Sequence, residues 1–311
     1  MSDSHNIAII GGGLMGAGIA LVFASAGHKV KVYDVSAEQL EGLHASVLQN
    51  LTMIDGDAKC IKLITPEPDF AAAVADADFV FEAVVEKLEV KRSIFAKLAT
   101  YAPKSAILCS NTSVIPITRI AENNPAAERI VGTHWWNPPF LVPLVEVIRA
   151  QDSLDEAVEA TISLLDSVGK VAVRVDKDVP GFVGNRLQHA LWREAISLVE
   201  NGVCDADTVD LVVKNSFGLR MPVLGPIENA DLVGLDLTID IHDNILASLN
   251  RDERASPLLR EKVEKGDLGF KTGKGLRDWT PEKIANVRMG LLNYLLIATK
   301  KCSILQKMGG K

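Results

Sequence analysis

Asn6 is followed by a continuous apolar run at 7–10 that ends at three glycines, which predicts a short buried strand at 6–10. Residues 14–26 are small and apolar without a break, and Gly27 stops them, which predicts a helix. Residues 30–33 then read as a second strand ending at Asp34. The alternation continues with helices at 36–50, 86–100 and 154–168, and with strands at 78–83, 106–109, 130–132, 144–148 and 170–175. Apolar strands separated by helix-length segments imply a mostly parallel sheet covered on both faces, an α/β fold class. Past Pro180-Gly181 the strand pattern stops, and residues 182–201, 205–213, 229–249, 257–266 and 281–299 all have helical spacing. The Pro-Gly pair reads as a hinge between a sheet domain at 1–180 and an all-helical domain at 181–311.

Composition adds limits. The 311 residues carry 33 Lys and Arg against 40 Asp and Glu, a net charge of −7, with no long basic run, so nucleic acid is not an expected partner. The four cysteines, Cys60, Cys109, Cys204 and Cys302, are scattered without a paired spacing. That excludes a zinc or disulfide framework and points to a reducing, cytoplasmic setting with no metal. No apolar stretch is long enough to suggest a signal peptide or a membrane span.

The turn after the first strand reads Gly11-Gly12-Gly13-Leu14-Met15-Gly16. Between a strand and a helix this pattern has a mechanical meaning. Gly11 permits a tight turn, Gly13 lets a pyrophosphate approach the backbone, and Gly16 lets the helix pack close to the strand. The free amides at the start of the helix, around Leu14 and Met15, then face the phosphates. Asp34 follows Gly16 by 18 residues. Its carboxylate suits two ribose hydroxyls and repels a 2′-phosphate, and the next residues supply no cation to hold one. The expected cofactor is NAD, bound by a Rossmann-type sheet domain.

Residues 131–147 contain the candidate chemistry. Pro138-Pro139 forces a bend, and Phe140 is the midpoint between His134 and Glu146. If the flanking segments fold back there, the two side chains face each other about 5 Å apart at Cβ. Imidazole titrates near neutrality and can take a hydroxyl proton, while a carboxylate behind it orients and steadies the charged ring. A Glu inside the apolar run Leu144-Val145-Glu146-Val147 needs a partner if buried, and His134 is the obvious one. His5, His28, His44, His189 and His242 have no comparable acid nearby and read as surface or core residues.

The whole chain resembles the 3-hydroxyacyl-CoA dehydrogenase family. The resemblance rests on the glycine turn, on Phe81-Glu82-Ala83-Val84-Val85-Glu86 with Lys91, on Ser110-Asn111-Thr112-Ser113, on His134-Trp135-Trp136-Asn137-Pro138-Pro139, on Asp178 to Arg186, and on Gly269 to Gly275. It implies His134 as general base with Glu146 as its partner, and Ser113 and Asn185 at the reacting oxygen or the histidine. Asn137 and Trp135 would lie at the substrate, and Glu86, Lys91 and Asn111 on the cofactor side. The resemblance also implies that the helical domain closes over a hydroxyacyl substrate and forms a homodimer.

Two features depart from acyl-CoA members of the family. The segment at 42–62, where those members carry a lysine-rich arm, is short and contains Asp55 and Asp57 beside Lys59 and Lys62. Trp135-Trp136 replaces smaller aromatics, and such indoles narrow a pocket or stack on a ring. These departures are similar to branches acting on free hydroxy acids or pyridine carboxylates. Three readings therefore stand: a 3-hydroxyacyl-CoA dehydrogenase, a dehydrogenase of a free acid, or a dinucleotide-binding protein without catalysis.

Overall fold

The computed structural model describes residues 4–309, with side chains as far as residue 299, so the side chain of Cys302 lies outside the described residues. The chain divides into two compact units, one of Met1–Arg186 with the segment from Leu292 onward, the other of Leu187–Leu291.

The first unit is built on β1 (Asn6–Ile10), α1 (Leu14–Ser25), β2 (Lys29–Tyr33), α2 (Ala37–Ile54), β3 (Ile64–Pro66), α3 (Phe70–Val74) and β4 (Phe79–Glu82). It continues through α4 (Leu88–Tyr101), β5 (Ile107–Ser110), α5 (Ile117–Ala121), β6 (Ile130–Trp135), β7 (Leu144–Arg149), α6 (Asp155–Ser167) and β8 (Val171–Val175). The strands form one sheet in the order β3-β2-β1-β4-β5-β6-β7-β8. All neighbours are parallel except β6 and β7, which are antiparallel.

Strand alternation sorts the core into two layers. Ile7 and Ile9 of β1 and Phe79 and Phe81 of β4 face one layer with Phe23, Leu43 and Val47. Ala8 and Ile10 of β1 and Val80 of β4 face the other with Phe95, Leu98 and Ile120. Both faces of the central strands are therefore buried, which is why those strands read as unbroken apolar runs.

Sequence pattern did not predict β3, α3 or α5. Each has five residues or fewer, too few to display a period. β6 extends three residues beyond the predicted strand and so carries His134 within the ladder. In the segment expected to differ from an acyl-CoA arm, α2 begins at a Ser36 cap and ends at Asp55 with φ 51°, followed by a short 3-10 helix at Ala58–Leu63.

The second unit is helical. It contains most of α7 (Gly184–Glu200), then α8 (Ala206–Asn215), α9 (Phe217–Arg220), α10 (Pro226–Val233), α11 (Leu235–Ile245), α12 (Pro257–Glu264) and the first part of α13 (Pro281–Gly309). The single helix predicted at 229–249 is two helices. Gly234 separates them at φ 102°, a conformation that ends an α-helix and that glycine alone adopts readily. Among the described residues, no helix is long and apolar enough to cross a membrane.

Candidate active site

The carboxyl ends of the strands carry the site, and the glycine turn forms one edge of it. Gly11 sits at φ 110°, and a Cβ there would fall 2.6 Å from the carbonyl oxygen of Ala83. A Cβ on Gly16 would meet the Gly11 carbonyl at 1.8 Å, so α1 can pack this close only with glycine. Gly13 is different, because nothing lies within 4 Å of its missing Cβ. The space is open to an incoming group, and Gly13 provides no side-chain cap for the first turn of α1. Leu14 is 68% exposed beside it. Free amides and an open approach at a helix N-terminus suit a pyrophosphate.

Asp34 closes the other end of this half-site. Its Oδ2 accepts a hydrogen bond from the Gly12 amide at 2.7 Å and its Oδ1 one from the Ser36 amide at 2.8 Å. Those two bonds fix the carboxylate and leave lone pairs for ribose hydroxyls. Strand order reverses between β1 and β4, the point at which a dinucleotide crosses such a sheet. The residues present therefore fit NAD.

His134 and Glu146 are direct partners in the antiparallel β6–β7 ladder. His134 Nδ1 lies 2.7 Å from Glu146 Oε2, and both side chains are buried. The second carboxylate oxygen, Oε1, accepts from the amides of Val183 and Gly184 at 2.9 and 3.0 Å. Burial pushes the Glu146 carboxyl up, but the bonds from His134, Gly184 and Val183 outweigh it and hold the group below its ordinary range. An ionised Glu146 can only accept, so Nδ1 carries the proton toward it and Nε2 is the nitrogen left to exchange one. Trp136 and Phe182 pack on the imidazole at 5.1 and 5.7 Å between ring centroids. Phe182 is fully buried at φ 51°, an unusual backbone state for a bulky residue.

A second network lies under the neighbouring strand ends. Lys91 is fully buried, 2.7 Å from Glu82 and 3.3 Å from Glu86. Glu86 Oε1 accepts from Thr112 Oγ1 at 2.5 Å and from the Ser113 amide at 2.9 Å. Burial pushes the Glu86 carboxyl up, and the bond from Thr112, the Lys91 ammonium and the amides of Ser113 and Val114 together bring it below its usual value. Asn185 Nδ2 donates to the Ser113 carbonyl at 2.8 Å, which ties the start of α7 to the same loop. Asn111 Oδ1 accepts from the Trp135 amide at 3.1 Å and so links β5 to β6.

The structure thus gathers His134, Glu146, Ser113 and Asn185 at adjoining strand ends, with Glu86 beside them and Asn137 exposed on the β6–β7 connection. Trp135 is a correction. Successive residues of a strand point to opposite faces, so the indole turns away from His134 and is buried against Phe23 and Phe81. Trp136 is the indole that meets the imidazole. Lys91 does not reach the surface; its ammonium is paired with Glu82 and Glu86.

Pattern reading missed Glu82 and Gly184. A Cβ on Gly184 would lie 2.4 Å from the Trp136 ring and 3.3 Å from Glu146 Oε2, so glycine is needed for its amide to approach the carboxylate. The available signal was a glycine directly after Phe182-Val183 and an acid ending an apolar strand. Among the described residues no group of three or more His, Cys, Asp or Glu side chains is arranged to hold a metal.

Comparison with known proteins agrees with this geometry. Residues 6–179 match the 3-hydroxyacyl-CoA dehydrogenase NAD-binding domain, and residues 181–279 match the C-terminal domain of the same family. The chain is 35% identical to the 5-formyl-3-hydroxy-2-methylpyridine 4-carboxylate 5-dehydrogenase of Mesorhizobium japonicum, over 90% of this chain and 92% of that one. A crystal structure of a dehydrogenase of that name, described as an NAD+-dependent dismutase, superposes with a TM-score of 0.89 at 32% identity, covering 99% of this chain and all of the other (100%). The (S)-3-hydroxybutyryl-CoA dehydrogenase of Ralstonia eutropha gives a TM-score of 0.74 at 30% identity, covering 89% and 100% of the two chains. The chain belongs to the 3-hydroxyacyl-CoA dehydrogenase family of NAD-dependent oxidoreductases acting on CH–OH groups.

Proposed function

We propose that this protein oxidises the hydroxyl group of a 3-hydroxyacyl thioester, of the 3-hydroxyacyl-CoA type, with His134 as general base. The observation that carries this reading is the buried 2.7 Å bond between His134 Nδ1, near the carboxyl end of β6, and Glu146 Oε2 on β7. NAD, when bound, supplies the hydride acceptor. His134 Nε2 takes the hydroxyl proton, and Glu146, held by two backbone amides, steadies the imidazolium that results. Ser113, Asn137 and Asn185 position the reacting oxygen on this reading. Residues 181–311 serve substrate binding and the pairing of two copies, which the many exposed apolar side chains of that region support.

A second reading has specific support. The indole of Trp136 beside His134 suits a compact ring better than a flexible acyl chain. The segment following α2 offers little net positive charge to the phosphates of CoA, since Asp55 and Asp57 accompany Lys59 and Lys62 there. The relative from Mesorhizobium japonicum is named for a pyridine carboxylate. A free hydroxy acid or a hydroxymethyl or formyl pyridine carboxylate is the substrate on this second reading.

One experiment tests both. Purified protein is screened by NADH absorbance with acetoacetyl-CoA, free hydroxy acids and pyridine carboxylates. Turnover confined to thioesters supports the first reading, and turnover confined to free acids supports the second. Tight NADH binding with no turnover of any of them overturns both.

A further inference from the structure

We propose that the buried Glu82–Lys91–Glu86 cluster raises the protein's affinity for oxidised NAD relative to reduced NAD, and that Glu82 contributes to the negative charge that does so. Two carboxylates share one ammonium, which leaves the cluster one net negative charge. Glu82 and Lys91 are fully buried and Glu86 is 37% exposed, so water screens that charge only in part.

Position gives the charge its meaning. Glu82 ends β4, and the next residue, Ala83, presses its carbonyl against Gly11 of the phosphate turn. Asp34 lies on the other side of β1, at the end of β2. A dinucleotide crossing at the β1–β4 reversal with its adenosine ribose toward Asp34 places its nicotinamide half over β4 and β5. The nicotinamide ring carries a positive charge when oxidised and none when reduced. A fixed negative charge nearby therefore favours the oxidised form.

Packing alone does not require a carboxylate at position 82. Glu82 Oε1 accepts from Lys91 and the Val84 amide at 2.7 and 2.8 Å, while Oε2 accepts from Ser110 Oγ at 2.7 Å. A glutamine keeps the first two bonds through its oxygen and can donate its amide to the serine hydroxyl. The shape is preserved and the charge is lost. The inference uses the cofactor assignment alone and is independent of the substrate.

The test is Glu82→Gln, with Kd measured separately for NAD+ by calorimetry and for NADH by fluorescence. The ratio of the NAD+ Kd to the NADH Kd is expected to rise about tenfold over the wild type, chiefly through weaker NAD+ binding. That corresponds to a shift of about 30 mV in the potential of the bound couple. Equal weakening of both forms, or no change in either, overturns the proposal and leaves NAD binding itself intact. Should Glu82→Gln fail to fold, Glu86→Gln reads the same cluster, because the Glu86 side chain is 37% exposed and its replacement leaves Lys91 paired with Glu82. A Glu86→Gln ratio equal to the wild type likewise overturns the proposal.

Discussion

The two compact units solve the problem of apolar surface differently. In the first unit, two layers of side chains on either side of the sheet leave residues such as Phe23, Phe81 and Phe95 without measurable exposure. In the second, among the described residues from Leu187 to Leu291, no hydrophobic side chain is buried. Leu219, Ile227 and Leu232 are well exposed there. A sheet clothed by helices on both faces gives every apolar strand residue a neighbour. Single helices bury one stripe only when another surface lies against it. The proposed catalytic residues lie where the core is complete, and paired strands hold the 2.7 Å His134–Glu146 bond. The exposed stripes of the second unit are the ground for proposing a homodimer.

The largest effect should come from the first unit. His134→Ala is expected to lower kcat by about 10²–10⁴-fold, with NADH binding retained. Steady-state kinetics and a fluorescence titration check this, and normal turnover would remove the histidine from the mechanism.

The contrast in burial predicts a contrast in stability. Phe23→Ala deletes a ring packed 4.8 Å from that of Phe81 and should destabilise by about 3–5 kcal/mol in urea unfolding. Ile227 is 76% exposed, and Ile227→Ala should cost no more than about 0.5 kcal/mol in the dilute monomer. A loss at Ile227 that grows with protein concentration would sharpen the comparison, by showing that a second copy covers that face. Sedimentation is expected to show a dimer at micromolar protein.

A smaller effect is read through pH. Lys170, 9% exposed, donates to the carbonyls of Pro139 and Val142 on the β6–β7 connection. Burial pushes its ammonium down to about 8 from an ordinary value of 10.5. The unfolded chain therefore binds more protons than the folded one between those values. Charge burial opposes folding below pH 8, and that opposition fades as pH rises toward 10.5. Relative to Lys170→Met, the wild type should gain up to about 3 kcal/mol of stability across this window. Urea midpoints at pH 7 and pH 10 provide the measurement. A constant gap would show that the ammonium is as well solvated as a surface lysine.

Much of the first unit could be read from the chain. Three glycines at fixed spacing between an apolar strand and an apolar helix carry a local geometric demand. The midpoint at Phe140 likewise placed His134 opposite Glu146, and the ladder has that register. The pattern could not show β3, since a three-residue strand has no period, nor the break at Gly234, where the apolar spacing continues on both sides.

Local order along the backbone is what the sequence by itself determined: the α/β alternation, the phosphate turn and the acid that follows it. These follow from periodicity and from steric rules that act over a few residues. Tertiary structure alone decided which of two adjacent tryptophans meets the imidazole, that the amides of Val183 and Gly184 hold Glu146, and that Glu82 is sealed in with Lys91. Those facts depend on which strand faces meet and on how much water is left between them, and residues far apart along the chain settle both.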